Sequence, residues 1–166
     1  MNLKAPRIAL VLLVLFLQGP AWARTAELIE HERVLLPGTS THLPTTEDAR
    51  AAIILGGQHL GWRVTGDNIG RITLFYNRKN KHTITIHVIY DAYGFQVRYA
   101  DSTNMNYEKV DENTALIHPN YNRWINNLIK EIPEAMKEVN AAKARAELIR
   151  ALKSPSSVQP THKEQP

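Results

Sequence analysis

Apolar and polar residues alternate strictly in the middle of the chain, which is the pattern of half-buried β-strands. Four segments show it, separated by short turns that are polar or contain glycine. Their side chains form one apolar face and one largely polar face, so we expect an antiparallel sheet that is covered on one side only. The predicted strands are residues 62–65, 71–76, 82–91 and 95–100.

Two further stretches carry apolar residues at three- and four-residue spacing, which predicts amphipathic helices that cover the apolar face. The first begins after Thr45 or Thr46, a suitable N-cap, and continues to about residue 60. The second begins near Pro119, and Pro133 is expected to kink it or to start a new helix. The apolar stripe of the second helix consists of Tyr121, Trp124, Ile125, Leu128 and Ile132.

These patterns predict an α+β fold, with an antiparallel sheet of about four strands and two helices packed on one face. The unit that organises the chain is residues 82–132, a hairpin followed by a loop and a helix. Residues 134–153 favour a helix but contain few apolar positions, so we expect this extension to project into solvent. The expected organisation is a signal peptide at 1–23, an N-terminal arm at 24–45, the α+β domain at 46–133, a C-terminal helical extension at 134–153 and a disordered tail at 154–166.

The first residues have the pattern of a secretory signal peptide. Lys4 and Arg7 precede an apolar run at residues 8–17, and Ala21 and Ala23 provide the small residues of a cleavage site. Because the run is shorter than the roughly 20 apolar residues of a membrane span, we expect cleavage after Ala23 and no stable membrane insertion afterwards. The sequence therefore predicts export through a cleavable signal peptide.

Charge and composition argue against several classes of partner. The chain has 20 basic and 16 acidic residues, and loss of Lys4 and Arg7 with the signal leaves 18 against 16, a net charge of +2. So small an excess of positive charge does not indicate a nucleic-acid partner.

The chain contains no cysteine, which excludes disulfides and lipid attachment through cysteine. None of the seven histidines has the spacing of metal ligands, so we predict no metal and no cofactor.

Residues 102–117 show no periodicity and predict a long polar loop before the second helix. We expect residues 101–107 to dock on the start of this helix, whose free N–H groups and partial positive charge attract the Asp101 carboxylate. A polar pocket framed by Tyr107 and Tyr99 would then lie between loop and helix. The candidate binding residues are Tyr99, Asp101, Ser102, Asn104, Asn106, Tyr107, His118 and Asn122.

The asparagines of this set allow two interpretations, because each side-chain amide both donates and accepts hydrogen bonds. They either clamp the loop to the helix by satisfying its backbone groups, or recognise a polar ligand such as a peptide or a glycan. The clamp is the favoured interpretation, since a long loop leaves many backbone groups to satisfy.

Asp101, Ser102 and His118 supply the residue types of a catalytic triad, which geometry alone can establish. Ser102 lacks a nucleophile-elbow sequence, and Asp or Ser after a strand commonly caps a turn. We therefore favour a non-enzymatic binding or envelope-associated module whose partner is an envelope protein, a peptide or a glycan. The alternative is a small serine-dependent hydrolase that uses Ser102 and His118.

Two motifs in this region carry a family resemblance. Residues 99–104 read Y-x-D-S-x-N and residues 117–124 read I-H-x-x-Y-N-x-W, with Gly61 and Trp62 upstream. Over roughly residues 47–132 the chain thereby resembles small exported proteobacterial proteins of unknown function, many of which are lipoproteins. The lipid-bearing cysteine of those lipoproteins is missing here. The resemblance therefore implies a Gram-negative periplasm, but neither membrane anchoring nor an activity.

Overall fold

The computed structural model describes residues 25–39 and 43–153, and it contains two helices and eight strands. The predicted signal peptide and C-terminal tail lie outside the described residues. The helices are α1 (Thr46–His59) and α2 (Asn120–Lys153). The strands are β1 (Ala26–Glu27), β2 (Val34–Leu35), β3 (Arg63–Asn68), β4 (Arg71–Arg78), β5 (His82–Asp91), β6 (Gly94–Thr103), β7 (Glu108–Lys109) and β8 (Ala115–Ile117).

The larger sheet is antiparallel with the order β2-β6-β5-β4-β3. Its four long strands are those that the alternation predicts, although β3, β4 and β6 extend further than expected. The fifth strand, β2, comes from the N-terminal arm and pairs Val34 with Phe95 at the edge of β6. The α+β class is therefore confirmed, while the single four-stranded sheet is only part of the architecture.

A second, three-stranded sheet has the order β1-β8-β7 and occupies the region predicted to be a structureless loop. The β7–β8 hairpin turns at Asp111, whose carboxylate accepts hydrogen bonds from the N–H groups of Asn113 and Thr114 at 2.8 and 2.7 Å. The arm adds β1, pairing Ala26 with Ile117. The loop prediction is wrong because strands of two or three residues are too short to display alternation.

Strand β6 also contains a bulge that changes which side chains share a face. Ile86 of β5 pairs with Tyr99, whereas Thr85 pairs with Asp101, so Ala100 is an additional residue in β6. Ser102 then pairs with Ile84, which is fully buried. Beyond the bulge, it is Ser102 rather than Asp101 that lies on the core side of the sheet together with Tyr99.

Both helices cover the apolar face, and together with the sheet they bury one core. Ring contacts at 5.1 Å between Tyr76 and Trp124 and at 5.8 Å between Tyr99 and Tyr121 join α2 to β4 and β6. Trp124, in the middle of the predicted stripe, is only half-buried. The fully buried aliphatic residues include Ile53, Ile72, Leu74, Ile84, Ile86, Val88, Ile117, Leu128 and Ile132.

Helix α2 continues through Pro133, so one helix joins the core stripe to the predicted extension. The first part of that extension packs on the domain, because Ala135 and Met136 are buried and the Asn140 amide donates to the Pro37 carbonyl at 3.4 Å. All residues from 144 to 153 are exposed. The predicted projection into solvent is therefore correct for the last part only.

A close contact between the two helices depends on Gly56. A Cβ atom at this position would lie 3.1 Å from the Ile132 Cα and 3.2 Å from its backbone nitrogen, so α2 would have to shift. At the adjacent Gly57 a Cβ would meet only side-chain atoms, at 3.4 Å and beyond. The absence of a side chain at Gly56 thus sets the separation of the helices.

We predict that Gly56→Ala leaves the protein less stable than Gly57→Ala by about 1–2 kcal/mol. Both substitutions gain the same helix propensity, so the difference isolates the crowding against Ile132. Urea unfolding of the two variants measures it, and equal stabilities would contradict the close helix contact.

Asp48 anchors the start of α1 and also binds α2. Its carboxylate accepts hydrogen bonds from the Thr45 N–H at 3.0 Å and from the Lys143 ammonium at 2.8 and 2.9 Å. Thr45 in turn accepts from the Asp48 N–H, which completes a capping box and confirms Thr45 as the N-cap. Burial alone would raise the pKa of Asp48, but the hydrogen bonds from Lys143 and Thr45 outweigh it and hold the pKa below 3.8.

We predict that Lys143→Met destabilises the protein by about 1–2 kcal/mol at neutral pH, because it leaves a buried carboxylate without its cation. Lys143 is itself 37% exposed, which reduces the effect through solvent screening. Because the folded pKa of Asp48 is lowered, its contribution is present above the unfolded value and is lost as the pH falls through the folded one.

Lys137→Met is the matched control, since its ion pair with Glu134 is 61% exposed on both sides. Denaturant unfolding at neutral and acidic pH should show a small loss for this control and a larger, acid-sensitive loss for Lys143→Met. Equal effects would show that the Asp48 pair does not tie the helices together.

Candidate functional site

A cleft of about 420 Å³ opens where the N-terminal arm, β6 and the β7–β8 hairpin meet. Two tyrosines form one wall, with the rings of Tyr99 and Tyr107 stacked at a centroid distance of 4.4 Å and an interplanar angle of 16°. Tyr107 is 41% exposed, so one face of the pair is open to a ligand. The remaining lining residues are Leu28, Glu30, Asp111, Glu112, Asn113, Thr114 and Ala115.

The tyrosine wall is supported from behind by buried groups. The Tyr99 hydroxyl hydrogen-bonds the Ser102 hydroxyl at 2.9 Å, and Tyr121 packs edge-on against the Tyr99 ring. Burial raises the pKa of both Tyr99 and Tyr121 above the ordinary value of 10.0. These two phenols therefore stay protonated at neutral pH and contribute ring faces and hydroxyl groups rather than charge.

The other side of the cleft is acidic. The Glu30 carboxylate forms an ion pair with Arg98 of β6, which holds the arm in place. The N–H groups of Asn113 and Thr114 keep the pKa of Asp111 below its ordinary value, so this side chain is anionic at neutral pH. Glu112 is exposed beside them. Three carboxylates thus line the same opening as the tyrosine pair, and that of Glu30 is already paired with Arg98.

Three of the predicted site residues come together here. Tyr99 and Tyr107 line the cleft, and Ser102 supports Tyr99. The cleft does not lie between the loop and the helix as predicted, because no residue of α2 lines it. The prediction that Asp101 binds the helix start is wrong, because the bulge turns its side chain to the opposite face of the sheet, beside Thr85. Asp101 is exposed, and its carboxylate accepts no hydrogen bond from the described residues.

Residues 101–107 still dock on the start of α2, through Met105 instead of Asp101. Met105 is 1% exposed, and its carbonyl accepts a hydrogen bond from the His118 N–H at 2.7 Å. Asn104 and Asn106 on either side have positive φ angles of 57° and 50°, a conformation that asparagine tolerates well. The segment is thus a tight turn around one buried methionine.

The Asn104 side chain joins this turn to the β4–β5 connection. Its amide donates to the Lys81 carbonyl at 2.8 Å, and the backbone carbonyl of Asn104 lies 2.7 Å from the His82 Nδ1 atom. The predicted hydrogen bonds from Asn104 or Asn106 to His118 or Asn122 are not formed. Asn106 has no side-chain hydrogen bond within the described residues.

His118 caps α2. Its Nδ1 atom accepts a hydrogen bond from the Asn120 N–H at 3.1 Å, and its carbonyl accepts one from the Tyr121 N–H at 2.9 Å. His118 thereby takes the capping role that the sequence suggested for Asp101. Its ring lies beside that of His82, with centroids 5.6 Å apart.

Asn122 acts as a clamp, but on a different segment from the one expected. Its side-chain oxygen accepts a hydrogen bond from the Ile29 N–H at 3.0 Å, and its amide donates to the Glu27 carbonyl at 2.7 Å. Both groups of one side chain therefore hold the N-terminal arm against the first turn of α2. The residues between these contacts and just beyond them, Leu28 and Glu30, line the cleft.

The sequence patterns do not predict the other residues that line the cleft. Leu28 and Glu30 belong to an arm with no clear pattern, and the cleft forms only when this arm reaches a hairpin more than 80 residues away in sequence. One signal was available, since the Asp-Glu-Asn-Thr sequence at residues 111–114 is typical of a side-chain-capped turn.

A metal-ligand cluster and a membrane-spanning helix are both missing from the part of the chain that the structure describes. Within residues 25–39 and 43–153, no three His, Cys, Asp or Glu side chains are grouped to hold a metal ion. Neither α1 nor α2 is long and apolar enough to cross a bilayer.

The chain matches no protein-family model, no curated protein and no solved structure. The family resemblance of the two motifs stays a prediction.

We predict that Asn122→Ala destabilises the protein by about 1–2 kcal/mol through loss of its two hydrogen bonds to the arm. It should also increase amide hydrogen exchange at Ile29, whose N–H loses its partner. Asn126→Ala, one turn further along α2, is the control because Asn126 does not bond the arm. An unchanged exchange rate at Ile29 would show that the arm is held by other contacts.

Proposed function

We propose that this chain is an exported, non-enzymatic binding module of the periplasm, and that its ligand is a peptide segment carrying a lysine or arginine side chain. The observation that carries this proposal is the cleft that the stacked Tyr99 and Tyr107 rings line together with Glu30, Asp111 and Glu112. Its volume of about 420 Å³ falls within the range of small-ligand sites and suits one long side chain with its backbone.

The chemistry of the two walls favours a cationic side chain over an anionic one. A guanidinium or ammonium group over the open face of Tyr107 gains a cation–π interaction. The carboxylates of Asp111 and Glu112 in the same cleft add attraction over a longer range, which salt weakens. The apolar stem of lysine or arginine would lie along Leu28 and the tyrosine rings.

The N-terminal pattern supports export as part of this proposal. Lys4, Arg7 and the apolar residues 8–17 precede the small residues of a cleavage site. The domain contains no cysteine, so disulfides cannot stabilise it after export. Its buried core and paired strands provide that stability instead.

The hydrolase alternative finds less support in the geometry. The Ser102 hydroxyl is bonded to Tyr99, while the His118 Nδ1 atom accepts the Asn120 N–H as a helix cap. Asp101 points to the other face of the sheet. We expect that a fluorophosphonate probe leaves Ser102 unmodified. Labelling of Ser102 would instead support the hydrolase alternative.

The binding proposal is tested with two synthetic peptides that differ only in lysine versus norleucine, measured by calorimetry. The lysine peptide should bind more tightly, and the advantage should shrink as salt is added. Tyr107→Ala should weaken binding of the lysine peptide about tenfold, which corresponds to about 1.4 kcal/mol.

Tyr93→Ala provides the matched control, since Tyr93 is 58% exposed at the β5–β6 turn, away from the cleft lining. It should bind the lysine peptide like the unaltered protein. Equal affinity for the two peptides, or equal effects of the two tyrosine substitutions, would contradict the proposal. Selective binding of oligosaccharides instead would identify a glycan as the ligand.

A further inference from the structure

The exposed end of α2 carries large apolar side chains that the domain does not bury. Leu148, Ile149 and Leu152 are 62%, 51% and 78% exposed, within a stretch where all residues from 144 to 153 are exposed. Burying such side chains is favourable, so a helix end with three of them in two turns is suited to contact with something outside the domain.

These side chains do not continue the core stripe of the same helix. Leu148 follows the fully buried Ile132 by 16 residues, about four and a half helical turns, so the two side chains point in opposite directions. Ala144 and Ala141 lie one and two turns before Leu148 on its side of the helix and extend its apolar face. The exposed apolar side chains at the end of α2 therefore lie on the opposite side of the helix from its buried core stripe.

The charge of this segment indicates what kind of surface it suits. The exposed residues 144–153 carry three basic side chains and one acidic side chain, a net charge of +2. Lys143 already binds Asp48 and fixes the direction in which the helix leaves the domain. The basic residues of the exposed stretch are Arg145, Arg150 and Lys153, and its acidic residue is Glu147.

From this combination of charge and apolar exposure we infer that the end of α2 docks on an anionic phospholipid surface and lies in its interfacial plane. The apolar side chains enter the interface while lysine and arginine head groups reach the lipid phosphates. Each basic residue near such a surface adds attraction. Two copies of the chain pairing through this face would instead bring two segments of like charge together.

The test is co-sedimentation of the full mature protein with vesicles of phosphatidylcholine alone and of phosphatidylcholine mixed with an equal amount of phosphatidylglycerol. Binding is expected on the mixed vesicles, and added salt should reduce it. The double variant Leu148→Ser, Leu152→Ser should bind about tenfold more weakly, because the apolar contribution is lost. Its thermal stability should be unchanged, since both residues are exposed.

Ile69→Ser is the control, because Ile69 is 99% exposed at the β3–β4 turn, distant in sequence from the helix end. It should bind the mixed vesicles like the unaltered protein. Equal binding to both kinds of vesicle, or no effect of the double variant, would overturn the inference. A dimer in solution that the double variant abolishes, without vesicle binding, would overturn it in favour of a second copy of the chain.

Discussion

The two hydrogen bonds of Asn122 to the N-terminal arm are the contact on which the rest of the site depends. They hold the arm at Glu27 and Ile29, and so place β1 against β8 and Glu30 beside Arg98. Without the arm, the smaller sheet would lose a strand and the cleft would lose one of its walls. A single amide in the first turn of α2 thus connects the helix, the second sheet and the cleft.

The sequence predicts the long elements well and the short ones poorly, for a physical reason. Alternation over eight or more residues reveals β4, β5 and β6, and the capping residues reveal α1. Strands such as β1, β7 and β8 have two or three residues and acquire their conformation only by pairing with distant parts of the chain. Local patterns do not contain that information.

The same distinction explains the outcome for the site. Tyr99 and Tyr107 could be predicted from the sequence because they lie near the end of a recognisable strand. Glu30 and Asp111 could not, because they come together only through the long-range path of the arm. The misplacement of Asp101 has a more local cause. Strict alternation would put it on the face of Tyr99, but the bulge at Ala100 moves Ser102 to that face instead.

The central claim is that the arm, β6 and the β7–β8 hairpin form one binding site for a cationic side chain. Amide hydrogen exchange with and without the lysine-containing peptide tests it most directly, because it reports each wall separately. We predict that the peptide slows amide exchange in residues 26–30 and 108–117 together, and that it leaves exchange unchanged at the exposed β3–β4 turn around Ile69. Protection elsewhere in the domain, or in neither of these two segments, would contradict it.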